Sequence, residues 1–91
     1  MYKLSGELTQ KNACSVLDAG AAALFAGQTA FDLAALERVD SSAVAVMVAW
    51  QRQAAAKQQH LAFHDIPPTL QSLISLYGLS EQFPSHSAGR H

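Results

Sequence analysis

The amino-acid sequence predicts a small α/β domain, a mostly parallel sheet of short strands with helices packed on it. Two patterns point there. Segments whose apolar residues recur at helical spacing alternate with short apolar runs of strand length, and breakers at Gly6, Gly27, Pro67-Pro68 and Gly78 fall between them. Strand–helix alternation of this kind builds a parallel sheet through right-handed crossovers. Length is the third constraint: 91 residues and 9.7 kDa make one domain, since domains usually need about 100–150 residues.

The elements follow in order. Tyr2 to Ser5 reads as a strand that breaks at Gly6-Glu7. Thr9 then offers a hydroxyl to cap a helix running to about Ala26. Within it Ala13, Val16, Leu17, Ala21 and Leu24 form one core-facing stripe, and Gly27 stops it. Thr29 to Leu33 is a short buried strand. Asp40-Ser41-Ser42 precedes a second helix from Ser42 to Lys57. His60 to His64 alternates as a strand, and Pro67-Pro68 opens a third helix, Thr69 to Tyr77, because proline is tolerated in a first turn. Its stripe is Leu70, Leu73, Ile74 and Tyr77; Gly78 ends it, with Leu79 placed for the contact that accompanies a glycine cap. The domain is expected over residues 1–84, with 85–91 as a frayed, disordered tail.

Composition excludes several functions. Six basic residues against seven acidic, without a basic cluster, leave no footprint for a phosphate backbone, so nucleic acid is not an expected partner. The longest apolar run, Ala43 to Trp50, has 8 residues where a membrane span needs about 20. With no basic-then-apolar leader at Met1, the chain is expected to be cytoplasmic, without direct membrane insertion. The single cysteine, Cys14, has no partners at zinc spacing and reads as a small core residue. His60 and His64 would share one strand face with Asp65 turned away; zinc needs a further ligand, so neither a metal site nor a cofactor is expected. Only 14% of residues are charged and 49% are hydrophobic. Soluble domains average roughly 25% charged. So apolar a surface suits a protein partner.

Two features carry that partner hypothesis. Counting about 100° per residue from Val44, Met47, Val48, Gln51 and Ala55 share a stripe that can pack on the sheet. Val46 and Trp50 then fall on the other side, where Trp50 either packs against a neighbouring helix or anchors a docking contact. Asp40-Ser41-Ser42 is first of all a helix cap; a phosphate on Ser41 would also be tolerated there, since a helix start favours negative charge. No nucleophile–base pair accompanies it, and no enzymatic activity is expected.

Taken together, Leu4-Ser5-Gly6-Glu7-Leu8, Phe31-Asp32-Leu33, Val39-Asp40-Ser41-Ser42 and Tyr77-Gly78-Leu79 with Phe83 resemble the STAS family of sulfate transporters and anti-sigma factor antagonists. The segment Phe31 to Asp40 followed by a hydroxyl residue is most similar to the cytoplasmic STAS subunit of Mla-type phospholipid ABC transporters. That resemblance implies a STAS-like fold and a non-catalytic subunit that binds the transporter's ATPase, with the permease in the same complex, and supports outer-membrane lipid asymmetry. It also implies that Ser41 lies at the ATPase contact, with Asp40 and Ser42 beside it. The alternative it implies is an anti-sigma factor antagonist whose Ser41 is phosphorylated by a partner kinase. Thr9 where those antagonists carry aspartate, and Ala43 where they carry glycine, favour the transporter subunit. Partner binding is thus expected at Asp40, Ser41, Ser42, Val46 and Trp50.

Overall fold

The computed structural model describes residues 1–83. The expected tail lies outside the described residues. Three strands and three helices alternate: β1 (Tyr2–Leu8), α1 (Ala13–Phe25), β2 (Ala30–Val39), α2 (Ser41–Ala56), β3 (Ala62–His64) and α3 (Pro68–Leu76). The strands form one sheet in the order β1-β2-β3, and both pairings are parallel. Because successive strands are neighbours, right-handed crossovers carry the connecting helices to the same face. Burial along β2 agrees: Phe31, Leu33 and Leu36 are buried while Ala34, Ala35, Glu37 and Arg38 face solvent.

The second and third helices start and stop within one residue of their expected limits. The first ends near Ala26 as expected but begins only at Ala13, three residues late, while two strands are longer than predicted. β1 runs through Gly6, which takes a φ of +76° and lets the strand kink without ending. The pairing with β2 shifts register on either side of that kink, between Lys3 and Ser5 and between Gly6 and Glu7. β2 extends to Val39 because its second half pairs with the extended β1, up to Leu8 opposite Val39. The third strand is shorter, Ala62–His64. His60 therefore lies outside it, exposed, and does not share a strand face with His64. No group of three metal-ligating side chains occurs among the described residues.

The core is aromatic at its centre. Phe31 of β2 meets Tyr2, Trp50 and Phe63 with ring centroids 4.9, 5.0 and 6.1 Å apart, and Phe83 closes on Phe63 at 5.6 Å. Offset and edge-on pairs of this kind add about 0.5–1.5 kcal/mol each beyond their buried area. Trp50 is fully buried, and its indole N–H donates to the Leu17 carbonyl of α1 at 3.0 Å.

Trp50 and Val46 correct the expectation that they face outward. The buried stripe of α2 is Ala43, Val46, Met47, Trp50 and Ala54, with Val44 at its margin. These positions follow i, i+3, i+4, i+7 and i+11, as a helix packed on a sheet requires. The helix is turned so that Val48 and Gln51 are half-buried and Ala55 is exposed. Neither Val46 nor Trp50 can reach a partner. Cys14 needs correction too: it is exposed, because the inward stripe of α1 passes through Ala13, Val16, Leu17, Gly20 and Leu24, and Cys14 lies about 100° off its start.

Candidate functional site

The β1–α1 turn and the start of α2 meet at one end of the sheet. β2 delivers Asp40 to the N-cap of α2 in extended backbone, with φ −136° and ψ −169°. One carboxylate oxygen, Oδ1, accepts the Ser42 N–H at 2.8 Å; the other, Oδ2, accepts the Gln10 N–H of the β1–α1 turn at 3.1 Å. The Asp40 N–H in turn donates to the Leu8 carbonyl at 3.4 Å. One aspartate thus caps α2 and ties it to the preceding turn.

That turn is built by its own side chains. Asn12 Oδ1 accepts the Thr9 N–H at 3.0 Å, and Asn12 Nδ2 donates to the Glu7 carbonyl at 2.8 Å. The Thr9 hydroxyl donates to Glu7 Oε2 at 2.6 Å and accepts the Lys11 N–H at 3.3 Å. Thr9 therefore does not cap α1 as expected. The chain needs four residues of turn before Ala13 begins the helix, and Thr9 is spent on the turn.

Hydrogen bonding holds the Asp40 carboxyl below the ordinary aspartate value of 3.8. The Gln10 N–H is the largest cause, partial desolvation works against it, and the N–H and side chain of Ser42 add to the lowering. A depressed carboxyl stabilises the fold fully above its unfolded pKa, and the contribution is lost as pH falls through the lower folded value. Asp40→Asn is accordingly expected to remove Asp40's share of the stability lost as pH falls below 3.8, giving a shallower acid limb. Urea midpoints of the two proteins across pH 2.5–6 check this; parallel acid limbs would refute it.

Ser41, the first residue of α2, is exposed. It heads an open trough of about 640 Å³ that runs along α2 to Arg52. Val44, Ala45, Val48 and Ala49 form its floor, and Tyr77 and Leu79, just past the end of α3, form its wall. The hydroxyl and the trough are thus one continuous surface. Of the expected partner-binding residues, Asp40, Ser41 and Ser42 stand together at the start of α2, where Ser41 alone of the three lines the trough, and Val46 and Trp50 are in the core. Ala45, Val48, Ala49 and Arg52 were not foreseen; their signal was a second stripe at helical spacing beginning at Ser41.

Comparison with known proteins places this geometry. The family model described as Mlab, STAS domain, matches residues 2–84. No curated protein matches the chain. Among solved structures, the chain is similar to the anti-sigma factor antagonist SpoIIAA in its unphosphorylated form, with 20% identity and a TM-score of 0.73 over 94% of this chain and 77% of that one. It is also similar to an anti-sigma factor antagonist from Mycobacterium paratuberculosis, with 24% identity and a TM-score of 0.76 over 92% of this chain and 73% of that one. At these identities the two structures share its fold.

Proposed function

The chain belongs to the Mlab STAS domain family, and on that premise we propose that it is a non-catalytic subunit that docks on the ATPase of an Mla-type phospholipid ABC transporter. It would sit at the inner membrane through that complex, with the permease as a further neighbour, and serve outer-membrane lipid asymmetry. No helix among the described residues is long and apolar enough to cross a membrane. Attachment would therefore come from the partner.

The observation that carries this reading is the exposed Ser41 at the head of the α2 trough. A hydroxyl there can bond across a contact while the apolar floor supplies buried area. Asp40 fixes the Ser42 N–H and the neighbouring turn, so the Ser41 hydroxyl is presented on a rigid base. Ser41→Asp places an unmatched charge in that contact. It is expected to weaken ATPase association about tenfold or more, since an unpaired buried polar group costs about 1–3 kcal/mol, while the urea midpoint stays at the wild-type value. Binding of the variant at wild-type strength would remove Ser41 from the interface.

The exposure of Ser41 also favours a second reading, an anti-sigma factor antagonist whose Ser41 is phosphorylated by its partner kinase. Affinity purification of the tagged protein from its own cells in mild detergent, with mass spectrometry of what co-purifies, separates the two. An ABC ATPase with a permease supports the transporter subunit. A soluble histidine-kinase-like protein supports the antagonist.

A further inference from the structure

The sheet ends at β1 with an open edge. β1 has β2 on one side and, among the described residues, no strand on the other, so the N–H and C=O groups along that side lack a ladder. The register shifts do not spoil this edge. From Lys3 to Ser5 the partners advance from Asp32 to Ala35, and from Gly6 to Glu7 they advance from Leu36 to Arg38, so the extra residues are in β2. β1 keeps its alternation, with Leu4 and Leu8 buried and Lys3 and Ser5 exposed. Nor does α1 cover the edge. Trp50 ties that helix to α2 through the Leu17 carbonyl, and a slot of about 280 Å³ stays open between α1 and β1, floored by Leu4, Leu36 and Val16 and rimmed by Ser15 and Ala19. A row of unpaired backbone groups beside an apolar slot suits an extended chain, which bonds the edge and sets every second side chain into the slot.

The charges on β1 select that chain. Lys3 and Glu7 stand two residues either side of Ser5, so β1 laid antiparallel to itself about Ser5 sets Lys3 of each copy opposite Glu7 of the other on one sheet face. A lysine on an edge strand ordinarily repels a second copy; opposite Glu7 it attracts one. Glu7 Oε2 accepts the Thr9 hydroxyl at 2.6 Å, which holds the carboxylate in place and leaves Oε1 for the lysine. On the other face the same register sets Leu4 opposite Gly6, which has no side chain to compete for the slot. Asn12 Nδ2, bonded to the Glu7 carbonyl at 2.8 Å, marks where the pairing ends. We propose that this chain forms a two-fold dimer in which the β1 edges of two copies pair antiparallel about Ser5, joining two three-stranded sheets into one. Exposed Ser15, Ala19 and Ala22 form a small-residue stripe of α1 beside the seam, so the two α1 helices can lie close together over it. The dimer does not depend on the ATPase contact: the slot shares no residue with the trough on α2, and both troughs stay open.

Two measurements on the isolated full-length chain test this. In sedimentation equilibrium the mass is expected to rise with concentration from 9.7 kDa toward that of a dimer. Lys3→Glu sets like charges opposite each other and is expected to weaken the dimer about tenfold; adding Glu7→Lys is expected to restore it. Cysteine cross-linking then reads the register, in a Cys14→Ser background because Cys14 is exposed. Directly opposed residues of an antiparallel pair have Cα atoms about 4.5–5.5 Å apart, within reach of a disulfide. Ser5→Cys is therefore expected to give a disulfide-linked dimer on mild oxidation. Lys3→Cys, displaced from its counterpart by about 13 Å along the strand, is not. A chain that stays monomeric at millimolar concentration overturns the proposal, as does a dimer that is indifferent to Lys3→Glu or that cross-links through Lys3→Cys and not through Ser5→Cys. Each of these results leaves the transporter-subunit reading standing.

Discussion

Replacing Trp50 by alanine is expected to cost about 3–5 kcal/mol, the range for deleting a large buried aromatic. A small domain has about 5–15 kcal/mol in total, so the loss is a large share of it. Three contributions add up at this one side chain. Its ring is fully buried at the α1–α2–β2 junction; it meets Phe31 edge-on at 5.0 Å and stacks on Phe63 at 6.5 Å; and its N–H bonds the Leu17 carbonyl. Truncation removes all three and orphans no charge, so cavity formation dominates. With a urea slope of about 1 kcal/mol/M, as for the smallest domains, the midpoint should fall by about 3 M or more. Circular dichroism is the proper probe, since the chain's only tryptophan is gone. A midpoint within about 0.5 M of wild type would mean that the core closes without it. Because Trp50 is fully buried, loss of partner binding by this variant would report the destabilised fold and not a lost contact.

The misplaced Trp50 shows where local pattern stops being informative. Both faces of α2 carry valines and alanines, so counting residues from Val44 finds two stripes and cannot choose between them. The choice is made by size: the face with Met47 and Trp50 fills the space over Phe31 and Phe63, and the face of Ala45 and Ala49 is left outside. That is a property of the sheet, set by strands distant in sequence. Helix limits, by contrast, were legible to within one residue for α2 and α3, because Asp40, Pro67-Pro68 and Gly78 act through adjacent backbone.

Much the same division holds at the candidate site. Asp40-Ser41-Ser42 was legible because a cap is a local device, and the structure has Asp40 accepting from Ser42 as a cap does. The second oxygen of Asp40, bonded to Gln10, was not legible, because it depends on β1 running on to Leu8 beside Val39. Gly6 hid that continuation. Read by itself it is a strand breaker; paired with a partner strand it is a kink at which register shifts. The trough depends in the same way on which face of α2 turns outward.

Gly20 is the residue that composition makes easiest to overlook, and Gly20→Ala has the second largest expected effect. At an ordinary site in a helix this change stabilises by about 1 kcal/mol, because glycine is a poor helix former. Here the added Cβ would overlap the Cε2, Cζ2 and Nε1 atoms of Trp50. The indole cannot swing away, since it is fully buried and its N–H is held by Leu17, one turn earlier on the same helix. Either α1 moves off α2 or the ring leaves its hydrogen bond, and overpacking of that kind costs about 1–3 kcal/mol or more. The clash is set against the propensity gain of about 1 kcal/mol, and the variant should be less stable by up to about 2 kcal/mol in urea titration. Trp50→Leu supplies the control: with the indole gone the clash is gone, and Gly20→Ala in that background should be neutral or stabilising. The difference between the two backgrounds is the coupling energy of the pair. If Gly20→Ala stabilised the wild-type protein instead, α1 and α2 would have to sit farther apart than the indole allows, and the trough on the outer face of α2 would change shape with them.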